Sequence, residues 1–387
     1  MNIVSVTPFY DELIYGIKSK PNSSLILLSK ELSKYEKNII ISSKIEDSKS
    51  LSKINSNLFI IRFKPLFYLP EIPYVLDPLL FIKIFKILKK YNCNVLIGYS
   101  LQFFSCFSAA ISSKLFGCPF ICRIIGTGTT SNKKLIDIIS KLYDHSLARF
   151  TLKIAKKIFI QSENIKKQIP ILNKYLKKTV IVEDGLDLSR YKEDINTDEL
   201  KSEFKINKSN IIISFTSRLY KLKGIEDLID VAKKIVKKKK NVIFLIVGTG
   251  PLEKKLKFET KTIESIKILG FRTDIPKILA ISDIFVQPSY SEGLSLAILE
   301  ACASGLPIIT TNVGSNPDLI KNGKNGYLIK PGDRTSLEKY IIKLIENKKL
   351  REEMGKYNRE MILKKYDLKK ICLKFLLELK KVVNNDS

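Results

Sequence analysis

Short runs of aliphatic and β-branched residues alternate along the whole chain with longer segments of helical spacing. Apolar runs bounded by turn residues predict buried strands, and apolar residues every three or four positions predict amphipathic helices. In the first half, strands are predicted at 2–6, 38–42, 58–63, 95–98, 119–125, 157–161 and 179–182. Helices are predicted between them at 24–35, 78–90, 103–115 and 134–155. This alternation favours a parallel sheet covered by helices on both faces.

Residues 187–210 are polar and charged, with few apolar residues in any period, and they predict a linker region. The alternation then resumes, with strands predicted at 211–216, 242–247, 266–269, 284–287, 307–311 and 326–329. We therefore predict an α/β chain of two Rossmann-like, doubly wound domains.

The first predicted domain spans 1–186 and the second spans 187–365. A C-terminal helix within 366–387 has no following strand to support, so we expect it to pack back on the first domain. Two such domains facing a central cleft would place ligands in loops that follow strands, because open parallel sheets bind ligands beyond the carboxyl ends of their strands.

Composition changes this picture little. A chain of 387 residues with 45% hydrophobic residues is long enough for two cores. The formal net charge of +28 is expected to draw the protein toward phosphate-rich partners. The excess is nearly all lysine in a chain rich in Ile and Asn, so most of these lysines are predicted to lie on solvated helix faces. No helix-turn-helix, RRM or zinc pattern is present, which leaves specific nucleic-acid binding as a lesser alternative.

The six cysteines form no Cys-x-x-Cys pair and mostly have apolar neighbours, which predicts buried, reduced thiols and a cytoplasmic protein. The first residues lack the charged start of a signal peptide. The most apolar long stretch, 101–125, is interrupted by Lys114, Gly117 and Pro119. It therefore predicts a helix followed by a strand and not a membrane span.

The loop after the predicted strand 284–287 contains Glu292, and a helix begins close behind it near Gly293, Leu294 and Ser295. Free N–H groups at a helix start form an anion site. Eight helical residues would separate Glu292 from Glu300 by about 12 Å, which is too far for two carboxylates that share one proton. The spacing suits two groups that touch separate parts of one elongated ligand. The alternative is an ordinary glutamate at a helix start and an exposed glutamate further on.

Two more strands of the second half are followed by candidate binding residues. Arg218 and Lys223 come after strand 211–216, and both can bind phosphate. Gly248 and Gly250 come after strand 242–247, where a turn with little side chain can pack against a base or ribose. The alternatives are two surface cations and a simple turn.

These three loops, in this order, resemble the donor half of the family-4 retaining glycosyltransferases, which have the two-domain GT-B fold. The matching residues are Arg218-Leu219, Lys223-Gly224, Gly248, Gly250-Pro251, Pro288-Ser289, Glu292, Glu300, Gly305, Pro307, Gly314 and Asn325-Gly326. The resemblance covers roughly 180–365, and it includes a hinge segment in which Asp184 stands where Asn is commoner.

The resemblance implies a role for each matched loop. Arg218 and Lys223 would hold a diphosphate, helped by N–H groups near 293–295. Glu292 would contact the donor sugar, and Glu300 the ribose. The turn 248–250 and the pair Phe271-Arg272 would border the base. No Asp-x-Asp triplet is present, so neither a metal nor another cofactor is expected.

The first half matches the family less well. Instead of a glycine-rich loop after the first strand it offers Gly16, and instead of a loop histidine it offers Gly126 and Thr127 as candidate acceptor-side residues. His145, the only histidine, lies in a predicted helix and is more readily explained as an ordinary helix residue.

The sequence therefore predicts a transferase that moves a sugar, with retention, from a nucleotide-diphosphate donor to a glycan or lipid-linked acceptor in cell-surface polysaccharide or lipopolysaccharide synthesis. Basic helices of the first half, with Lys83, Lys86, Lys89 and Lys90 beside Phe81 and Phe85, make an anionic membrane surface on the inner face a candidate partner. A sugar-nucleotide epimerase or a sugar phosphorylase on the same fold is the alternative.

Overall fold

The computed structural model describes residues 1–8, 13–14, 17–18, 24–44, 49–68, 75–101, 103–125, 146–192 and 194–384. The chain forms two compact units. The first unit combines Met1–Gly185 with Leu368–Ser387, and the second unit is Leu186–Asp367. Each unit contains one large sheet, and its strands alternate with helices along the chain.

The first unit contains an eight-stranded sheet and two small hairpins. Its strands are β1 (Asn2–Val6), β2 (Leu13–Ile14), β3 (Ile17–Lys18), β4 (Lys37–Ser43), β5 (Leu51–Lys53), β6 (Leu58–Phe63), β7 (Phe67–Tyr68), β8 (Val75–Leu76), β9 (Val95–Tyr99), β10 (Phe120–Ile124), β11 (Lys157–Ile160) and β12 (Thr179–Ile181). The large sheet has the order β12-β11-β10-β9-β1-β4-β6-β5. All its pairs are parallel except the edge pair of β5 with β6.

Helices cover this sheet because its strands are apolar on both sides. The helices described before the unit boundary are α1 (Ser24–Leu32), α2 (Leu80–Lys90), α3 (Phe104–Phe116), α4 (Leu147–Ile154) and α5 (Glu163–Gln168), with a 3-10 segment at Pro170–Lys178. Of the helix predicted at 134–155, residues 134–145 lie outside the described residues, and α4 occupies the rest. Every residue of β9 and β10 is buried, as expected for central parallel strands.

The second unit contains a six-stranded parallel sheet. Its strands are β13 (Ile211–Thr216), β14 (Val242–Val247), β15 (Ile266–Gly270), β16 (Ile284–Gln287), β17 (Ile308–Thr311) and β18 (Gly326–Ile329). The order β15-β14-β13-β16-β17-β18 reverses its direction between β13 and β16. In such sheets this reversal opens a crevice at the carboxyl ends of the two strands, where ligands bind.

The helices of the second unit are α6 (Asp198–Glu203), α7 (Ile225–Lys238), α8 (Glu253–Glu259), α9 (Ile275–Ala280), α10 (Leu296–Ala303), α11 (Asn316–Leu319), α12 (Arg334–Glu346) and α13 (Lys348–Lys365). The prediction of two doubly wound α/β domains is confirmed. The prediction of a linker at 187–210 was wrong, because this segment contains α6 and buries Tyr191, Leu200 and Phe204 in the second unit. These apolar residues are too widely spaced to form a period, so the sequence pattern did not reveal them.

The last helix, α14 (Leu368–Asn384), belongs to the first unit. The ring of Phe375 meets that of Phe159 edge-on, with centroids 5.3 Å apart. Lys374 donates a hydrogen bond of 2.8 Å to Glu183. Among the described residues, no helix is both long enough and apolar enough to cross a membrane.

Candidate active site

Two loops of the second unit meet where the sheet order reverses. Lys223 ends a 3-10 turn after β13, and Glu292 follows β16. The Lys223 Nζ lies 2.8 Å from Oε1 of Glu292 although 69 positions separate the two residues in the chain. Gly224 allows this approach, because it has φ +66° and a Cβ there would lie 1.9 Å from the carbonyl oxygen of Pro288. The structure therefore brings together two of the three predicted catalytic residues.

Three donors converge on one oxygen of Glu292. Besides Lys223, the amide of Gln287 donates to Oε1 at 2.7 Å and the hydroxyl of Ser289 donates at 2.7 Å. The Glu292 side chain is only 7% exposed, so these hydrogen bonds form largely away from water. Such convergence holds this oxygen in one place. Gln287 was missed by the sequence analysis, and its only signal there was a polar side chain at the end of an apolar strand.

The helix start predicted near Gly293, Leu294 and Ser295 lies slightly later, because α10 begins at Leu296. Ser295 is its N-cap, and its hydroxyl accepts a hydrogen bond from the N–H of Ile298 at 3.4 Å. Gly293 and Leu294 are half-buried residues of the loop between Glu292 and this cap. The loop thus places its backbone beside Glu292, and the helix start follows it directly.

The backbone of the Glu292 loop is held by the segment after β17. A Cβ on Gly314, which has φ +56°, would lie 2.2 Å from the carbonyl oxygen of Glu292. The N–H of Ser315 donates to the carbonyl of Gly293 at 2.9 Å, and the hydroxyl of Thr311 donates to the carbonyl of Ser289 at 2.5 Å. Glu292 is therefore fixed through its backbone as well as through its carboxylate.

A second network ties the same loop to α7. The hydroxyl of Tyr290 donates to Asp227 at 2.7 Å, and Nε of Arg334 donates to the other oxygen of that carboxylate at 2.6 Å. The hydrogen bond to Asp227 raises the pKa of Tyr290. Because α7 directly follows Gly224, this network joins the Lys223 side of the site to the Glu292 side.

Arg218 lies on the same edge of the sheet but is exposed, with its guanidinium 5.5 Å from the centre of the Tyr220 ring. The turn at Gly248 and Gly250 packs against the backbone of this segment. A Cβ on Gly248 would lie 1.8 Å from the carbonyl oxygen of Ser217, and one on Gly250 would lie 2.5 Å from that of Leu219. The two glycines therefore allow the loops after β13 and β14 to touch.

Glu300 lies inside α10 and is fully buried. Tyr191 is next to it, and burial together with the Glu300 carboxyl raises the pKa of Tyr191. Tyr191 lies in the segment 187–210, which the sequence pattern predicts to be a linker, so it was not among the predicted site residues. Glu300 therefore interacts with Tyr191, which is not part of the hydrogen-bonded cluster around Glu292.

Arg272 is engaged by two carboxylates of the second unit. Its guanidinium donates to Asp274 at 2.6 and 2.9 Å and to Glu203 at 2.8 and 3.2 Å. These hydrogen bonds, first of all that to Asp274, raise the pKa of Arg272, and the guanidinium lowers the pKa of Asp274. Phe271 beside it is half-buried. Much of the charge of Arg272 is therefore neutralised within the protein.

The candidate acceptor-side residues Gly16, Gly126 and Thr127, and also His145, lie outside the described residues. Just before Gly126, at the end of β10, Arg123 is almost fully buried and its guanidinium lies 2.7 Å from the carboxylate of Asp184. Gln161 donates to the other oxygen of Asp184. This ion pair explains why an aspartate suits position 184, because an asparagine would leave the buried arginine without a counter-charge.

A small cavity of about 10 Å³, open to solvent, lies at the carboxyl ends of β1, β4 and β6 in the first unit. Its polar lining includes Ser43, Asp77 and Ser105. The hydroxyl of Ser105 is buried and has no hydrogen-bond partner among the described residues. Asp77 accepts from Lys83 at 2.6 Å and from the N–H of Leu79 at 3.1 Å. The cavity therefore offers groups that can bind hydroxyls.

The described residues contain no group of three or more His, Cys, Asp or Glu side chains placed to hold a metal ion. Lys223 and Arg218 are two basic groups that follow β13 at this edge of the second sheet.

A family described as "Glycosyl transferases group 1" matches residues 196–361, which include the whole cluster around Glu292. The chain is 30% identical over 300 residues to the UDP-Gal:alpha-D-GlcNAc-diphosphoundecaprenol alpha-1,3-galactosyltransferase of Escherichia coli, covering 75% of this chain and 76% of that protein. It is 30% identical over 229 residues to the capsular polysaccharide biosynthesis glycosyltransferase CapM of Staphylococcus aureus, covering 55% of this chain and 58% of CapM.

Among solved structures, HepE of Anabaena in complex with UDP-glucose is similar to the chain with a TM-score of 0.79. The match covers 98% of this chain and 100% of HepE, at 19% sequence identity. This likeness supports the fold, with a Rossmann-like sheet in each half.

Proposed function

The chain belongs to the group 1 glycosyltransferases, and from this we propose that it moves a sugar from a nucleotide-diphosphate donor to a glycan or lipid-linked acceptor, with retention, in cell-surface polysaccharide synthesis. The observation that supports this most directly is the contact of Lys223 with Glu292 where the sheet order reverses. A cation for the leaving diphosphate and an anion for the sugar hydroxyls stand side by side there.

Lys223 and Arg218 would bind the diphosphate. An ammonium serves as a compact positive charge for phosphate, and a guanidinium adds a planar fork of donors. Arg218 is exposed, so its charge is available to a ligand. Backbone N–H groups of Gly293, Leu294 and Ser295 would add neutral donors next to these cations.

Glu292 would contact the donor sugar. Its Oε1 accepts all three hydrogen bonds described above, and no described residue donates to Oε2. Oε2 is therefore the oxygen that can accept a hydrogen bond from a sugar hydroxyl. The deeper Glu300, with Gly248, Gly250, Phe271 and Arg272, would serve the ribose and the base, as the family resemblance implies.

In the proposed reaction, the bond between the anomeric carbon and the diphosphate oxygen breaks while a bond to the acceptor oxygen forms on the same face of the sugar. The acceptor proton passes to the departing phosphate oxygen. Lys223 and Arg218 would stabilise the negative charge that grows on the diphosphate, which is the largest contribution expected from this site. No metal ion and no other cofactor is required in this scheme.

We propose a UDP-hexose as the donor. The Escherichia coli relative is named for UDP-Gal, and HepE was solved with UDP-glucose. The small cavity of the first unit has room for about one water-sized group. It is the proposed place for a single acceptor hydroxyl, since Asp77 and Ser105 line it.

The acceptor is proposed to be presented at an anionic membrane surface. Ile82, Leu115 and Phe150, on α2, α3 and α4, are exposed apolar residues of the first unit. α3 packs against both of the other helices. The ring of Phe116 in α3 lies 6.1 Å from that of Phe85 in α2, and the ring of Phe107 in α3 lies 5.7 Å from that of Phe150 in α4. The same helices carry lysines, at 83, 86, 89 and 90 in α2 and at 114 in α3. Helices with both basic and exposed apolar residues favour peripheral binding to anionic lipid. We therefore propose a cytoplasmic protein that associates with the inner face of the membrane.

The relatives named above are all transferases, and no observation favours the epimerase, phosphorylase or nucleic-acid alternatives.

The test measures nucleoside diphosphate release and thermal shift with UDP-glucose, UDP-galactose, UDP-N-acetylglucosamine and GDP-mannose. We expect one UDP-sugar to raise the melting temperature and to be hydrolysed slowly.

Glu292→Ala and Lys223→Ala should each lower turnover about 100-fold or more, the scale seen when one preorganised charge is removed. Glu353→Ala and Lys349→Ala are matched controls, because this Lys–Glu pair of α13 is exposed and 4.0 Å apart. If Glu292→Ala and Lys223→Ala retained turnover, or if no donor raised the melting temperature, the proposed function would be wrong.

A further inference from the structure

Gln287 stands at the centre of a chain of hydrogen bonds that runs from α10 to Glu292. The N–H of Ile298 donates to the hydroxyl of Ser295, which donates to Oε1 of Gln287 at 2.8 Å. Nε2 of Gln287 then donates to Oε1 of Glu292 at 2.7 Å. Gln287 is 1% exposed and Ser295 is 5% exposed, so water does not compete for these bonds.

The amide of Gln287 has one orientation because both of its ends are specified. An ionised Glu292 accepts hydrogen bonds and cannot donate one, so it must face the NH₂ group. The Ser295 hydroxyl then donates to the remaining carbonyl oxygen. The backbone of Gln287 is held as well, since the hydroxyl of Thr310 donates to its carbonyl at 2.7 Å.

Lys223 and Gln287 differ in how firmly they can hold Glu292. Under the proposed function, a bound diphosphate competes with Glu292 for the Lys223 ammonium. Gln287 and Ser289 are neutral and buried, and they face no such competition. They therefore remain on Glu292 when the donor is bound.

We propose that Gln287 is a positioning residue, which keeps Oε1 of Glu292 fixed in the donor complex so that Oε2 faces the sugar, and that Ser295 sets the orientation of its amide. This inference rests on the proposed function. Gln287 acts through Glu292 and does not itself touch the substrate.

The test compares Gln287→Glu with Gln287→Met. Glutamate has the shape of glutamine, and when protonated it can donate to Glu292 as the amide does. When both carboxyls are ionised they repel, and the donor is lost. Lys223 is the only charged side chain of the described residues in contact with Glu292, and it favours leaving the proton on residue 287.

The kcat/KM of Gln287→Glu is measured with the UDP-sugar that is turned over and is divided by that of wild type. We expect this ratio to fall at least tenfold between pH 5.5 and pH 8.5. Gln287→Met should be lower than wild type by a factor that does not change with pH. A merely structural role would lower both variants without a change in pH dependence. Gln168→Glu in α5 makes the same substitution in the first unit and should show a constant ratio.

A second measurement needs no substrate. The melting temperature of Gln287→Glu should fall below that of wild type increasingly as the pH rises, because the two carboxylates repel. The same substitution in a Glu292→Gln background should show a weaker trend, because only the burial of residue 287 then penalises its ionisation.

The outcomes separate the two ideas. If the wild type turns over no donor, the proposed function fails, and the melting series alone decides whether residues 287 and 292 interact. If turnover is seen but the Gln287→Glu ratio is flat, or Gln287→Met equals wild type, the positioning role is overturned while the proposed function stands.

Discussion

The guanidinium of Arg123 lies 2.7 Å from the carboxylate of Asp184, and both side chains are at most 3% exposed. Breaking a buried ion pair from one side leaves an unpaired charge, which costs about 3–5 kcal/mol. Asp184 also accepts from Gln161, so its loss removes two contacts. Arg123 of β10 and Asp184 after β12 are therefore each needed as the other's counter-charge.

We accordingly expect Asp184→Ala to lower the free energy of unfolding in urea by about 3 kcal/mol or more. Glu352→Ala is the control, because its partner Lys348 and Glu352 itself are largely exposed. The interpretation fails if the two variants have the same stability.

Gly224 and Gly117 provide a matched pair of glycines. Both have positive φ, +66° and +83°, so an alanine strains the backbone by about 1–2 kcal/mol at either position. Only at Gly224 would the new Cβ also meet an atom, at 1.9 Å from the Pro288 carbonyl oxygen, whereas at Gly117 nothing lies within 4 Å. We expect Gly117→Ala to keep full turnover with a small loss of stability. Gly224→Ala should lose turnover and destabilise the protein more. Equal effects in chemical denaturation would contradict the close approach of the two loops.

Arg218→Ala should weaken donor binding without affecting stability. The side chain is exposed, so its removal leaves no cavity and no buried unpaired group. We expect the dissociation constant for UDP to rise about tenfold, the scale of one charge-assisted hydrogen bond to phosphate. The effect should shrink at high salt because screening weakens the interaction. Calorimetric titration with UDP at two salt concentrations measures this. An unchanged affinity would remove Arg218 from the site.

Asp283 predicts how the stability of the fold depends on pH. Burial raises the pKa of Asp283, although its carboxylate accepts a hydrogen bond from the N–H of Ile212 at 2.8 Å. A carboxyl whose pKa is raised by folding binds its proton more tightly in the folded state. Below the pKa that Asp283 has in the unfolded chain, its carboxyl is protonated in both states and does not affect stability. As the pH rises from there through the raised pKa of the folded state, the free energy of unfolding decreases.

Asp283→Asn keeps an oxygen for Ile212 and cannot ionise. We expect this variant to melt above wild type at pH 7, with a difference that shrinks as the pH is lowered toward 4. If the difference in melting temperature between Asp283→Asn and wild type grew as the pH was lowered, the fold would favour the ionised form of Asp283. Arg351, whose guanidinium lies 3.7 Å from Asp283, would then be the dominant influence.

The large-scale fold could be predicted from apolar runs alone. The strands at 2–6, 58–63, 211–216, 242–247, 284–287 and 326–329 have the predicted bounds. Buried parallel strands are apolar throughout, so both of their ends are visible in the sequence. The segment 187–210 was misjudged because its buried residues Tyr191, Leu200 and Phe204 follow no period.

The candidate site was predictable only in part. Lys223 and Glu292 were found because each is a charged residue that follows a predicted strand, and because the loops resemble a known family. Gln287 was missed because its role depends on contacts with Glu292 and Ser295 that only the folded loop creates. Arg272 was expected near the base, but its partner Glu203 lies in the segment taken as a linker.

The helix α14 has a consequence for how the protein is made. It supplies Phe375 to the packing around Phe159 and Arg123 in the first unit, yet all of Leu186–Asp367 is synthesised before it. At roughly 5–20 residues per second, these about 180 residues occupy a ribosome for roughly 10–40 s. Throughout that interval the surface that α14 covers stays open, so the first unit begins to emerge before the second and is completed after it.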